Sequence, residues 1–215
     1  MDTSEGLVNL QKHWDTAYKK CPTEKLGWFE EVPTLSLELI ADCNLKSKAT
    51  IFVAGAGSST LIDALIALNY TTLIANDISR EALEGMEKRL SESDKKKLTC
   101  IVDDLTAPKV LNDLPNIDLW VDRAVVHFFL KESEQESYFN LIKSKLKKGG
   151  LVLLAAFALD GAKKCCGLEV FRYNTQMFQD RLGDDFELVK AQDHTYMNPF
   201  GDSRPYIYTL FQRKE

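Results

Sequence analysis

Ile51-Phe52-Val53-Ala54 is an apolar run that breaks into Gly55-Ala56-Gly57-Ser58-Ser59-Thr60, and Leu73-Ile74-Ala75-Asn76 is a second apolar run closed by Asp77. Between them, Thr60 to Leu68 sets Leu61, Leu65 and Leu68 on one helical face. Strand, glycine turn, helix and strand in that order make a parallel unit, because parallel neighbours need a crossover between them. A helix starting near Ser58 aims its free N–H groups and the positive end of its dipole at the turn. Gly55 and Gly57 let the backbone approach a ligand closely, and Asp77 at the strand tip can accept both hydroxyls of a ribose.

The alternation continues along the chain. Strand patterns cover Ala49 to Ala54, Thr71 to Ala75, Leu98 to Val102, Ile117 to Val121 and Leu151 to Phe157, the last with the continuous apolar character of a central parallel strand. A helix runs from Ser79, its expected N-cap, to Leu90. Ser133-Glu134-Gln135-Glu136 reads as a capping box opening a helix that Gly149-Gly150 should stop. Phe186 to Ala191 and Tyr206 to Gln212 are strand-like, and the polar Asp193 to Pro205 between them shows no helix pattern, so this pair should be antiparallel. Amphipathic helices are expected at Leu7 to Tyr18 and Pro33 to Ala41. The expected fold is therefore α/β: a doubly wound, Rossmann-like, mostly parallel seven-stranded sheet with an antiparallel last strand. An N-terminal helical lid segment, 1–45, should precede one folding unit, 46–215.

Composition excludes several classes. With 215 residues the chain suits one domain with a full core. A net charge of −5 gives no reason to expect a nucleic-acid partner. The lysines at 95–97 and 143–148 fall near helix C-termini, where cations offset the dipole. The start, Met1 to Gly6, lacks the basic and apolar regions of a signal peptide, and no apolar stretch nears the roughly 20 residues that span a bilayer. The 5 cysteines are odd in number and form no C-x-x-C pair, so neither a disulfide framework nor a metal site is expected, and the setting is read as cytoplasmic. The chain is expected to be a monomer.

The glycine turn alone does not choose its cofactor. A dinucleotide fold would want a third glycine at Thr60. A glycine turn with no ligand is the plain alternative. Three more features decide: Val102-Asp103-Asp104-Leu105 puts a carboxylate where an adenine amino group could donate, Lys148-Gly149-Gly150 precedes the fifth strand, and the sheet ends in an antiparallel pair. Together these resemble the class I S-adenosylmethionine-dependent methyltransferases, from about residue 48 onward. His13 to Tyr18, Gly27-Trp28-Phe29-Glu30, Asp122 to Phe128 and Asp160 to Leu168 are similar to a subgroup of small methyltransferases. The N-terminal Trp/Tyr segment is also similar to the elongation-factor lysine methyltransferases and the thiopurine type.

The resemblance implies S-adenosyl-L-methionine as cofactor and a role for each residue. Gly55, Ala56 and Gly57 would pass its methionine part; Asp77 and Ile78 would hold the ribose; Asp104 and Leu105 the adenine. Asp122 would sit at the methionine end, and Trp14, Tyr18 and Trp28 would form a lid. Arg123, Phe157 and Arg172 would meet the acceptor. The chain departs from the common pattern in two places: Ala54 stands where an acidic residue often precedes the first glycine, and Ser59 replaces the turn's last glycine. Loss of the acid leaves the cofactor's ammonium group to Asp122 or a backbone carbonyl.

Methyl transfer from a sulfonium is an in-line displacement, and orientation alone can contribute about 7–11 kcal/mol. A thiol acceptor needs no base, whereas an amine or hydroxyl must lose a proton. His127, five residues after Asp122, is the candidate base, with packing beneath the cofactor as its plain alternative. His13 and His194 read as structural. Cys165-Cys166 is a vicinal pair near the expected acceptor pocket that could bind a soft metalloid; alternatively Cys166 merely replaces a serine. For Arg172 a surface ion pair is the alternative, and for Trp14, Trp28 and Phe29 a role as core anchors. No Asn/Asp-Pro-Pro-aromatic sequence follows the fourth strand, which argues against adenine and glutamine amide methyltransferases. The expected activity is methyl transfer to a small-molecule acceptor. The alternatives are a protein lysine methyltransferase, a non-catalytic cofactor-binding regulator and a nicotinamide dehydrogenase.

Overall fold

A computed structural model describes residues 3–215, with side chains from Leu10 onward. Met1 and Asp2, the very start of the expected lid segment, lie outside the described residues. Strands β1 (Thr50–Ala54), β2 (Thr72–Asp77), β3 (Leu98–Val102), β4 (Ile117–Arg123) and β5 (Leu146–Phe157) are mutually parallel. A two-residue ladder, β6 (Lys164–Cys165) with β7 (Leu168–Glu169), stands apart. The long strands β8 (Phe186–Met197) and β9 (Ser203–Arg213) complete a seven-stranded sheet in the order β3-β2-β1-β4-β5-β9-β8. β9 runs antiparallel to both of its neighbours, the reversed last strand expected from the sequence.

The sheet is covered on both faces because its strands alternate side chains with period two. Ile51, Val53, Leu119, Val121, Leu153 and Tyr208 point to one side. There they meet α2 (Thr34–Asp42), α3 (Leu61–Ala67) and α4 (Arg80–Arg89) through Leu39, Ile40, Leu65 and Met86. Phe52, Trp120, Val152, Leu154 and Phe211 point to the other side, onto α6 (Glu132–Lys145) and α7 (Thr175–Leu182). A single turn, α5 (Glu92–Lys95), leads into β3. The N-terminal helix α1 (Thr3–Lys20) packs on α4. Among the described residues no helix is long and apolar enough to cross a membrane.

Three local expectations are corrected. The helix α6 starts two residues earlier than the serine suggested: Lys131 is its N-cap, and the Glu134 carboxylate accepts from the N–H groups of Leu130 and Lys131. The double glycine does not stop that helix, which already ends at Lys145. It lies inside β5, where Gly149 has φ +72° and a Cβ at Gly150 would stand 3.2 Å from the Asp118 carbonyl. The glycines thus allow β5 to join β4 across an irregularity in their register. The polar stretch 193–205 is mostly strand, because its ends extend the β8–β9 ladder and only residues 198–202 turn. There the Asn198 amide oxygen takes N–H groups from Phe200 and Asp202, which replaces the backbone pairing the turn gives up. Helix α7 had no sequence expectation; Asn174 caps it by accepting from Met177 N–H.

Candidate functional site

The C-terminal ends of β1, β2, β3 and β4 open into a cleft of about 340 Å³, where open α/β sheets bind ligands. Its floor begins at the glycine turn. Gly55 and Gly57 have φ of +52° and +55°, the left-handed region that side chains avoid. The space is also closed to a side chain: a Cβ on Gly55 would come within 2.2 Å of Val125, and one on Gly57 within 2.3 Å of the Tyr18 hydroxyl.

Asp77 fastens this turn. Its Oδ2 accepts from Gly57 N–H at 2.8 Å, and its Oδ1 from Ser79 N–H at 2.8 Å. Asp77 forms the wall of the cleft together with Ile78. Burial pushes the Asp77 carboxyl up to about 6, against the opposing pull of the Ser79 and Gly57 N–H groups. Asp104 and Leu105 line the neighbouring wall at the end of β3. Thr106 donates to Asp104 Oδ1 through both its N–H, at 2.8 Å, and its hydroxyl, at 2.9 Å. Among the described residues no donor reaches Oδ2, which leaves that oxygen for a ligand.

Helix α1 supplies the roof. Leu10, Trp14 and Tyr18 recur at one-turn intervals and face the cleft together. Trp14 packs edge-on against Trp28 at 5.7 Å and Phe128 at 5.0 Å, and Tyr18 against Trp28 at 5.8 Å. The helix is tied to the start of α4 by Asp15, whose Oδ1 accepts from the Ser79 hydroxyl at 2.6 Å, and by the ion pair Lys19–Glu81.

A smaller cavity of about 50 Å³ lies on the other side of Gly55 and Trp28, lined by Ala54, Ala56, Ser58, Glu30 and Arg123 among others. Arg123 Nε pairs with Glu30 Oε2 at 2.9 Å, and Nη1 donates to the Trp28 carbonyl at 3.1 Å. The guanidinium also stacks on Tyr196 and Tyr206, 4.9 Å and 5.4 Å from the ring centres. Its Nη2 is buried without a partner among the described residues. Burial pushes the Glu30 carboxyl up, and Arg123 draws it partly back. One buried donor without an acceptor, next to a carboxylate, is an arrangement that an amino-acid zwitterion completes.

Of the expected site residues, the structure brings Trp14, Tyr18, Trp28, Gly55, Asp77, Ile78, Asp104, Leu105 and Arg123 to the large cleft; Ala56 borders the small cavity. Five residues are placed elsewhere. Asp122 points to the opposite face of the sheet from Arg123, as strand alternation requires. There its carboxylate takes Val125 N–H, Val126 N–H and the Tyr138 hydroxyl, and it does not line the cleft. His127 is fully buried beneath the cleft, between Phe128 and Phe157, and does not reach it as a base would. Phe157 is buried against His127 and Tyr206. Arg172 is spent on the carbonyls of Leu159 and Gly161. Gly57 lies under Tyr18 rather than open to ligand. Sequence reasoning assigned no role to Glu30, Val125 or Phe128. Glu30 and Ala54 line the same small cavity, so the missing acid at position 54 was the one signal in the sequence that could have pointed to a carboxylate from elsewhere.

Comparison with solved structures places this architecture. The chain superposes on a Burkholderia thailandensis 1,6-didemethyltoxoflavin N1-methyltransferase, bound to 1,6-didemethyltoxoflavin and S-adenosylhomocysteine, with a TM-score of 0.76 at 14% identity, covering 100% of this chain and 92% of that one. The fold is that of the class I S-adenosylmethionine-dependent methyltransferases. A methyltransferase from Anabaena variabilis gives a TM-score of 0.76 at 11% identity, covering 97% of this chain and 95% of that one. The magnesium protoporphyrin IX methyltransferase of Synechocystis, bound to S-adenosylhomocysteine, gives 0.63 at 14% identity, with 100% and 88% covered. No family model and no curated protein matches the sequence.

Proposed function

We infer that the protein is a methyltransferase whose cleft holds S-adenosyl-L-methionine and whose acceptor is a small molecule. The observation that carries the reading is the fit of three unfilled polar positions to one ligand. Asp77 offers two lone pairs suited to a ribose diol, Asp104 Oδ2 an acceptor suited to an exocyclic amine, and Arg123 Nη2 with Glu30 a donor and a carboxylate suited to an α-carboxylate and an α-ammonium. Bound there, the cofactor would supply a methyl group activated on a sulfonium.

The chain's own residues bind, orient and dry the site. Gly55 keeps the turn free of side chain, and Val125 and Phe128 close the cleft from the β4 side. Trp14, Tyr18 and Trp28 serve as a lid that excludes water, and segment 1–45 acts as that lid on the unit 46–215. His127 is buried below and no histidine among the described residues borders the cleft, so a proton that the acceptor must lose would pass to a lining carboxylate such as Glu134 or to water. The cleft is concave, partly open and largely apolar, the form of a small-molecule site. Two solved neighbours are named for acting on small molecules, a toxoflavin precursor and a magnesium porphyrin.

Incubation with methyl-labelled cofactor and a size-fractionated extract tests the reading. Label is expected in the low-mass fraction. Label confined to protein bands would replace the small-molecule acceptor with a lysine-type protein target.

A further inference from the structure

Cys165 and Cys166 occupy a hairpin corner that the methyl-transfer reading does not use. β6 and β7 pair Cys165 with Leu168, so Cys166 and Gly167 alone make the turn. Both have positive φ, +52° and +81°, which makes it a type I′ turn. Gly167 suits that turn, whereas its first central position favours Asn, Asp or Gly. A cysteine there is held in a left-handed conformation that side chains avoid. The strained backbone sets the two sulfurs 3.8 Å apart, with Cys165 half-buried on the wall of the large cleft and Cys166 exposed.

A second observation sits beneath the pair. His127 lies beside Cys165, is fully buried, and has neither ring nitrogen in hydrogen-bond geometry with any described residue. Hydrogen bonding from the Cys166 thiol draws the Cys165 thiol below its usual value, against the opposing effect of burial; Cys166 is pushed up in return. The thiolate is the form that ligates soft centres. Ligand count limits what the pair can hold. Structural zinc asks for four protein ligands. Among the described residues no cluster of three or more His, Cys, Asp or Glu side chains suits a metal ion. A trivalent metalloid carrying one organic group needs only two bonds from the protein.

We propose that Cys165 and Cys166 form a dithiol site for a trivalent, arsenite-type metalloid, with its remaining substituent directed into the cleft beside Leu168. Binding of an aryl arsenoxide balances without redox chemistry. Two As–S bonds form, the As=O bond breaks, and the two thiol protons leave with that oxygen as one water while arsenic stays trivalent. The proposal stands apart from methyl transfer.

Phenylarsine oxide added to the reduced full-length protein, followed by intact mass, tests it. One phenylarsenic adduct is expected, stable to excess monothiol and released by dithiothreitol. Cys165→Ser should weaken binding at least 100-fold. Cys166→Asn, which keeps a residue suited to the turn, should do the same with the fold intact. Cys21→Ser, Cys43→Ser and Cys100→Ser should leave the adduct unchanged. An adduct that survives Cys166→Asn, one removed by monothiol, or none at all would overturn the site. Each result is read without the cofactor, so failure here leaves the methyltransferase reading untouched.

Discussion

Three donors saturate the carboxylate of Asp122 inside the protein, while one buried donor of Arg123 meets nothing. The two residues are adjacent, and a strand sends neighbours to opposite faces. The sequence showed that an acid and a base end the fourth strand; it did not show which faced the ligand, because that depends on the strand's register against its partners. Asp122→Asn should therefore lower stability by about 1–3 kcal/mol, the usual cost of unsettling a buried hydrogen-bond set, yet leave S-adenosylhomocysteine affinity within about threefold. Chemical denaturation and calorimetry would separate these, and a loss of tenfold or more in affinity would return Asp122 to the cofactor. Glu30→Gln should weaken binding by roughly tenfold, the scale of one charge-assisted hydrogen bond, and also lower stability, because it leaves the buried Arg123 guanidinium without its counter-charge. Asp77 carries a pH dependence. Burial raises its carboxyl to about 6, and a ligand donating hydroxyls favours the ionised form. Affinity should thus be full above pH 7 and fall by up to about tenfold per unit below 6, as protonation removes the acceptor. A flat profile between pH 5 and 7.5 would contradict the ribose assignment.

At the scale of elements, periodicity and turn chemistry foresaw the parallel strands, the N-cap Ser79 and the glycine turn, all of them local signals. The misreadings were also local signals, overridden by tertiary pairing. Gly149-Gly150 looked like a helix stop but serves a strand crossing, and residues 193–205 looked like a loop but extend a ladder whose partner supplies their hydrogen bonds. Helix α1 was legible as amphipathic, but its docking was not. Asp15 meets Ser79 only in the fold, across 64 residues of chain. Asp15→Ala should loosen that latch. The Ser79 hydroxyl still caps α4, at 3.3 Å from Ala82 N, so α4 should keep its protection while amide exchange in α1 speeds several-fold. Unchanged exchange in α1 would show that Trp14 and Tyr18 hold the roof without the latch.

Across the whole molecule, one topological fact places the cleft. The strand order reverses beside β1, with β2 on one side and β4 on the other, and helices leave on opposite faces to open the crevice above Gly55. That much followed from the alternation of elements. The rest of the cleft wall did not, because it is built by short segments with no periodic signal: the 165–169 hairpin, the Phe128 turn and the Trp28 loop. The proposed function requires this crevice to select an adenosyl amino acid over a dinucleotide. Calorimetric titration with S-adenosylhomocysteine and, separately, with NADH tests that selection. Saturable binding of S-adenosylhomocysteine is expected, weakened at least tenfold in Asp77→Ala, with no measurable heat from NADH. Tighter binding of NADH, or S-adenosylhomocysteine affinity unaltered by Asp77→Ala, would contradict the proposed function.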